Sequence, residues 1–208
     1  MQVLFWLARH GETTDSGKEI FRGQHDAKLD KNGFIEAYKQ KAFFAKQDWH
    51  YLFCSPLSRA VQTGTIICED MDESPILHPG LKPWNIGYLT GKNRKKYAKE
   101  MDYFIDHPDK VPEDGESLNQ FQEGRIYPLL AEAMEIGLEQ GKPCVLIAHS
   151  SIIHVCSHLL YGEHHHKDTS VEPGGIVEVY YDKGEFLARA IIKPGKDDSD
   201  FAAGKVGS

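Results

Sequence analysis

The sequence predicts an α/β fold: a three-layer sandwich with a mainly parallel central sheet flanked by helices, and antiparallel edge strands near the C-terminus. Three observations point there. Val3 to Ala8 and Cys144 to Ala148 are continuous apolar runs of strand length, as in central strands covered on both faces. Helical segments lie between them. Near the end, Gly175 to Tyr181 and Glu185 to Lys193 flank Asp182-Lys183-Gly184, the pattern of a hairpin with a short turn.

In chain order, Val3 to Ala8 opens the sheet and runs into Arg9-His10-Gly11-Glu12-Thr13. Asp30 caps a helix predicted over 30–46. Tyr51 to Cys54 reads as another inner strand, and Ser55-Pro56-Leu57 leads into a helix over 58–69. A helix over 117–140 starts with the capping box Ser117-x-x-Gln120 and stops at Gly141, with Pro128 expected to kink or split it. Cys144 to Ala148 then runs into His149-Ser150-Ser151, followed by a helix over 151–161 closed by Gly162. Residues 1–193 are expected to form one domain. The Gly-, Lys-, Asp- and Ser-rich stretch 194–208 is expected to be a frayed tail.

Composition narrows the function. With 40% hydrophobic and 26% charged residues, the 208-residue chain is expected to fold as a globular protein. No apolar run approaches the roughly 20 residues that span a bilayer, and the N-terminal run is too short for a signal-peptide core. A cytoplasmic protein without membrane contact is the resulting expectation. Cys54, Cys68, Cys144 and Cys156 sit in apolar stretches without Cys-x-x-Cys spacing, so reduced, buried thiols are expected. A net charge of -7 provides no basic footprint for nucleic acid. A homodimer is left open.

Both His10 and His149 fall just past strand ends, where open α/β sheets bind ligands. Arg9 precedes the first, and Arg59 follows the strand ending at Cys54. Two guanidiniums beside two imidazoles suit a phosphoryl group, whose oxygens accept forked, charge-assisted hydrogen bonds. A neutral imidazole can attack phosphorus to form a phosphohistidine, which water then hydrolyses.

Five segments carry a resemblance: Arg9-His10-Gly11-Glu12-Thr13; Phe21-Arg22-Gly23-Gln24 with Leu29 and Gly33; Ser55-Pro56-Leu57-Ser58-Arg59-Ala60-x-Gln62-Thr63; Asp114-Gly115-Glu116-Ser117; and Ala148-His149. In this order, over roughly residues 3 to 160, the chain resembles the histidine phosphatase (phosphoglycerate mutase-like) superfamily. The resemblance implies a metal-independent phosphatase, without a nucleotide cofactor, acting on a small phosphorylated substrate through phospho-His10. It implies that Arg9, Arg59 and His149 bind the phosphoryl group, and that Arg22, Thr13 and Gln24 contact substrate. The alternatives are a phosphoglycerate mutase-like phosphotransferase and a catalytically impaired phospho-ligand-binding module.

The chain departs from the family pattern at Pro83, in Leu81-Lys82-Pro83, where members often carry a glutamate acid. A leaving alkoxide needs a proton, and a positioned acid typically contributes about 10²–10⁴-fold. Glu116 is the first candidate for that donor, with Asp114 beside it. The other openings are a substrate with a good leaving group and a loss of catalysis. Ser16 and Ser150 also stand where the family often has Asn and Gly.

Other features read first as structural. His164-His165-His166 reads as a solvated loop, and His154 with His158 as packing or surface residues, with metal binding the weaker reading of each. The basic run Lys92, Arg94, Lys95, Lys96 and Lys99 reads as a solvated helix face, with a phosphate-recognising lid as the alternative. Trp84 reads as a packing residue before a stacking one.

Overall fold

The computed structural model describes residues 2–161, 171–183 and 185–192. Gly162, His164–His166, Gly184, Lys193 and the predicted tail lie outside the described residues. Six strands form one sheet: β1 (Gln2–Arg9), β2 (Leu52–Cys54), β3 (Ile76–Leu77), β4 (Cys144–Ala148), β5 (Ile176–Asp182) and β6 (Glu185–Ile192). Their order is β3-β2-β4-β1-β5-β6. β1, β2, β3 and β4 run parallel, and β5 and β6 add antiparallel at one edge.

The apolar strands occupy the centre because both of their faces are covered. On one side, Phe5 and Leu7 of β1 pack with Leu129, Leu130 and Ala133 of α5 (Tyr127–Gln140) and with Ile152 and Val155 of α6 (Ser150–Tyr161). On the other, Trp6 and Ala8 meet Phe44 of α1 (Lys31–Phe44) and Ala60 and Ile67 of α2 (Ser58–Ile67). Alternate side chains of one strand thus feed two cores, which gives the three layers.

Most predicted elements lie where expected, and the shifts have local causes. Asp30 caps α1 by accepting from the Gly33 N–H at 2.9 Å. The predicted helix over 117–140 is three segments: α4 (Leu118–Phe121), a π-helical turn over Gln122–Ile126, and α5, with Pro128 in its first turn. A proline has no N–H to donate backward, so it is tolerated at a helix start and not inside. Gly141 closes α5 at φ 66°. β3 is too short for periodicity to announce. Most of the basic run precedes α3 (Ala98–Asp106) in turns; only Lys99 lies on the helix, so the run is not one helix face.

Two features position the strand ends. The register pairs Arg9 with Ala148, which sets His10 and His149 side by side past the sheet edge. The loop after β1 then crosses the start of α1 so closely that a Cβ on Gly33 would lie 2.0 Å from the Glu12 carbonyl oxygen. Only a glycine allows that approach.

Candidate active site

His10 is fixed before its ring is considered. Its N–H donates to the Ala148 carbonyl at 3.2 Å, and its carbonyl accepts from Gly174 at 3.3 Å. Ring Nδ1 lies 2.7 Å from the Gly11 carbonyl oxygen. A carbonyl only accepts, so this contact assigns the proton to Nδ1 and leaves a lone pair on Nε2. Arg59, on the first turn of α2, donates from Nε to that Nε2 at 3.1 Å and lies 3.3 Å from Nδ1 of His149. The two imidazole rings are 5.0 Å apart, edge to face.

Electrostatics reinforce the tautomer. Burial, then the Arg59 charge, hold His10 well below the ordinary histidine pKa of 6.5. His149 is held well below it too, by burial first and then by His10 and Arg59. Both rings are therefore neutral at neutral pH. Burial lowers Arg59 to about 10, which leaves the guanidinium charged. Arg9 and Arg22 are likewise lowered, mainly by burial.

Several donors are positioned but unused. Arg9 gives one amino group to the Val171 carbonyl, and Arg22 gives one to the Asp15 carbonyl at 3.2 Å. Among the described residues, Nε of Arg9, Nε of Arg22, Nε2 of His149 and Oγ1 of Thr13 are buried without a hydrogen-bond partner. Such orphans cost about 1–3 kcal/mol each if nothing meets them, so their grouping around the strand ends suits an anion with several acceptor oxygens.

Gln24 and Glu116 are engaged elsewhere. The Gln24 amide donates to the Pro83 carbonyl at 3.0 Å. The Glu116 carboxylate accepts from Arg125 and, at 2.9 Å, from the Asn85 N–H. Arg125 also binds the carbonyls of Gly80, Lys82 and Pro83, so this pair ties the 79–89 segment to the π-helical turn. Asp114 takes a left-handed φ of 57° on an exposed loop. Trp84 is buried, donates to the Glu116 carbonyl and stacks on Phe121, which is the packing role.

Sequence reasoning missed three residues. Gln40, fully buried on α1, donates to the Arg9 carbonyl at 2.9 Å and so braces the residue before His10. It is the one polar side chain on the buried face of Gly33, Ala37 and Phe44, a pattern that could have flagged it. Asp15 and His25 face each other, Oδ2 to Nε2, at 3.2 Å. The His25 carbonyl accepts from Nη1 of Arg59 at 2.7 Å. No spacing rule announces that pair. Among the described residues, no cluster of three or more His, Cys, Asp or Glu side chains is placed to hold a metal ion.

A sequence model of the histidine phosphatase superfamily (branch 1) matches residues 5–192. A 2,3-bisphosphoglycerate-dependent phosphoglycerate mutase of Cytophaga hutchinsonii is 30% identical over 154 residues, covering 70% of this chain and 71% of the relative. The crystal structure of a phosphoglycerate mutase from Thermus thermophilus superposes with a TM-score of 0.67 at 27% identity, covering 89% of this chain and 98% of the other. A mycobacterial glucosyl-3-phosphoglycerate phosphatase gives 0.72 at 20% identity, covering 89% and 96%, a likeness of fold.

Proposed function

This chain belongs to the histidine phosphatase superfamily, branch 1, and from that premise we propose that it hydrolyses a small phosphorylated substrate through a phosphohistidine at His10. The observation that carries the reading is the neutral His10 ring, with its Nε2 lone pair held beside Arg59, while Arg9, Arg22 and His149 keep buried nitrogens without a partner. Attack by Nε2 forms the N–P bond as the ester P–O bond breaks. Arg9, Arg59 and His149 hold the phosphoryl oxygens, and their positive field stabilises the charge that develops on them. Arg22 and Thr13 supply further donors. Gln24 acts through the Pro83 segment rather than by an amide aimed at substrate. The reading requires no metal or cofactor and expects a cytoplasmic setting.

Hydrolysis is preferred to phosphoryl return because Pro83 supplies no carboxyl group for a proton shuttle, and because Glu116 is tied to Arg125. The test is turnover of p-nitrophenyl phosphate in the presence of a chelator, compared with His10→Ala. Alkaline quenching followed by peptide mass spectrometry should find one phosphoryl group on the His10 peptide. Phosphate binding without turnover would replace the enzyme reading by that of a binding module. Transfer to an added alcohol in preference to water would replace it by that of a mutase.

A further inference from the structure

We propose that His25, paired with Asp15, donates the proton to the leaving oxygen, a role that rests on the phosphatase reading above. The turn Arg22-Gly23-Gln24-His25 closes through the His25 N–H on the Arg22 carbonyl at 2.9 Å, with Gly23 at φ 48°. This turn makes three long-range or inter-loop hydrogen bonds. Arg22 reaches Asp15, Gln24 reaches Pro83, and the His25 carbonyl receives Nη1 of Arg59, whose Nε is bonded to His10. His25 is therefore two hydrogen bonds and one guanidinium away from the nucleophile. It is also one residue from the side chain that contacts Pro83.

The imidazole has the access that the task requires. Its side chain is 54% exposed, whereas His10 and His149 form the buried floor. Several neighbouring carboxylates already accept hydrogen bonds: Glu116 from Arg125 and Asn85, Asp26 from Ser58, Glu12 from Asn32, and Glu36 from the Glu12 N–H. Asp15 is held below the usual carboxylate range, first by its hydrogen bond with Lys18. It orients His25 through Nε2 and leaves Nδ1 as the atom that exchanges a proton. The charged groups around this pair are Lys18, Arg22, Arg59 and Asp26.

The balance is simple. Nε2 of His10 bonds to phosphorus, the P–O bond breaks with its electron pair on the leaving oxygen, and His25, acting as the imidazolium with Nε2–H on Asp15, gives its Nδ1 proton to make it an alcohol. Water then attacks phosphorus and gives a proton to His25, while the N–P pair returns to His10 as phosphate departs.

The test compares an alkyl phosphate with p-nitrophenyl phosphate, whose leaving group needs little protonation. His25→Gln, at an exposed position, should slow the alkyl ester about 10²-fold in kcat and remove the alkaline limb of its pH profile, with p-nitrophenyl phosphate nearly unchanged. Asp15→Asn should show the same split more weakly, and an unsplit response there would reduce Asp15 to a structural anchor and overturn the pair. Equal effects of His25→Gln on both esters, or none on either, would overturn the proposal while His10-dependent turnover kept the phosphatase reading intact. Turnover of the aryl ester alone by the unaltered protein would overturn it too, since no effective donor would then be present.

Discussion

The two buried imidazoles make acid sensitivity a property of single residues. Burial and the Arg59 charge keep His10 and His149 deprotonated in the fold, whereas in the unfolded chain each binds a proton near pH 6.5. The unfolded state therefore carries more protons below that value. Stability from this source is fully expressed above about pH 6.5 and declines as the pH falls toward the folded-state values. Thermal unfolding in phosphate-free buffer between about pH 8 and pH 5 should show this slope, and His149→Asn should flatten it. A slope unchanged by the substitution would count against a depressed His149. At this scale the sequence was informative about His10, Arg9, Arg59 and His149, because strand ends and ordered motifs fix them. It was silent on Asp15 and His25, whose meeting depends on the conformation of two irregular turns that no periodicity encodes.

Among the elements, the junction between the β1 loop and α1 is the tightest. Adding a methyl at Gly33 drives it into the Glu12 carbonyl, and at Gly11 it meets the Gly33 carbonyl oxygen at 2.4 Å. Gly33→Ala should cost about 1–3 kcal/mol or more in chemical denaturation and lower kcat by displacing His10. At the start of α4, Ser117 and Gln120 form the reciprocal capping box, Ser117 Oγ accepting at 3.0 Å and Gln120 Oε1 accepting at 2.8 Å. Ser117→Ala should cost about 1 kcal/mol, and a negligible shift in the denaturation midpoint would show the cap to be redundant. These two sites were readable as Gly and Ser-x-x-Gln signals. The division of 117–140 was not, because a π-helical turn is a local answer to Pro128 and to the packing of Phe121 and Ile126.

At the scale of the whole molecule, an anion that met the unpaired donors would couple its binding to folding. A phosphate-like anion that binds the folded form alone should raise the melting temperature, by about 2.7 kcal/mol of stabilisation at 100 times its Kd, and Arg59→Ala should abolish the shift. All four cysteines are free and buried, with Cys54, Cys144 and Cys156 pushed up to about 12 by burial. The native protein should resist a thiol reagent that titrates four groups after denaturation. No helix among the described residues is long and apolar enough to cross a membrane. The position of β1 between β4 and β5 has a further consequence, for synthesis. The strand that leads into His10 leaves the ribosome before the other strands of the sheet, and both of its neighbours are translated more than 130 residues later. Until then β1 is an unpaired apolar edge, so C-terminal truncations that remove β5 and β6 should aggregate during expression rather than yield a weakened enzyme.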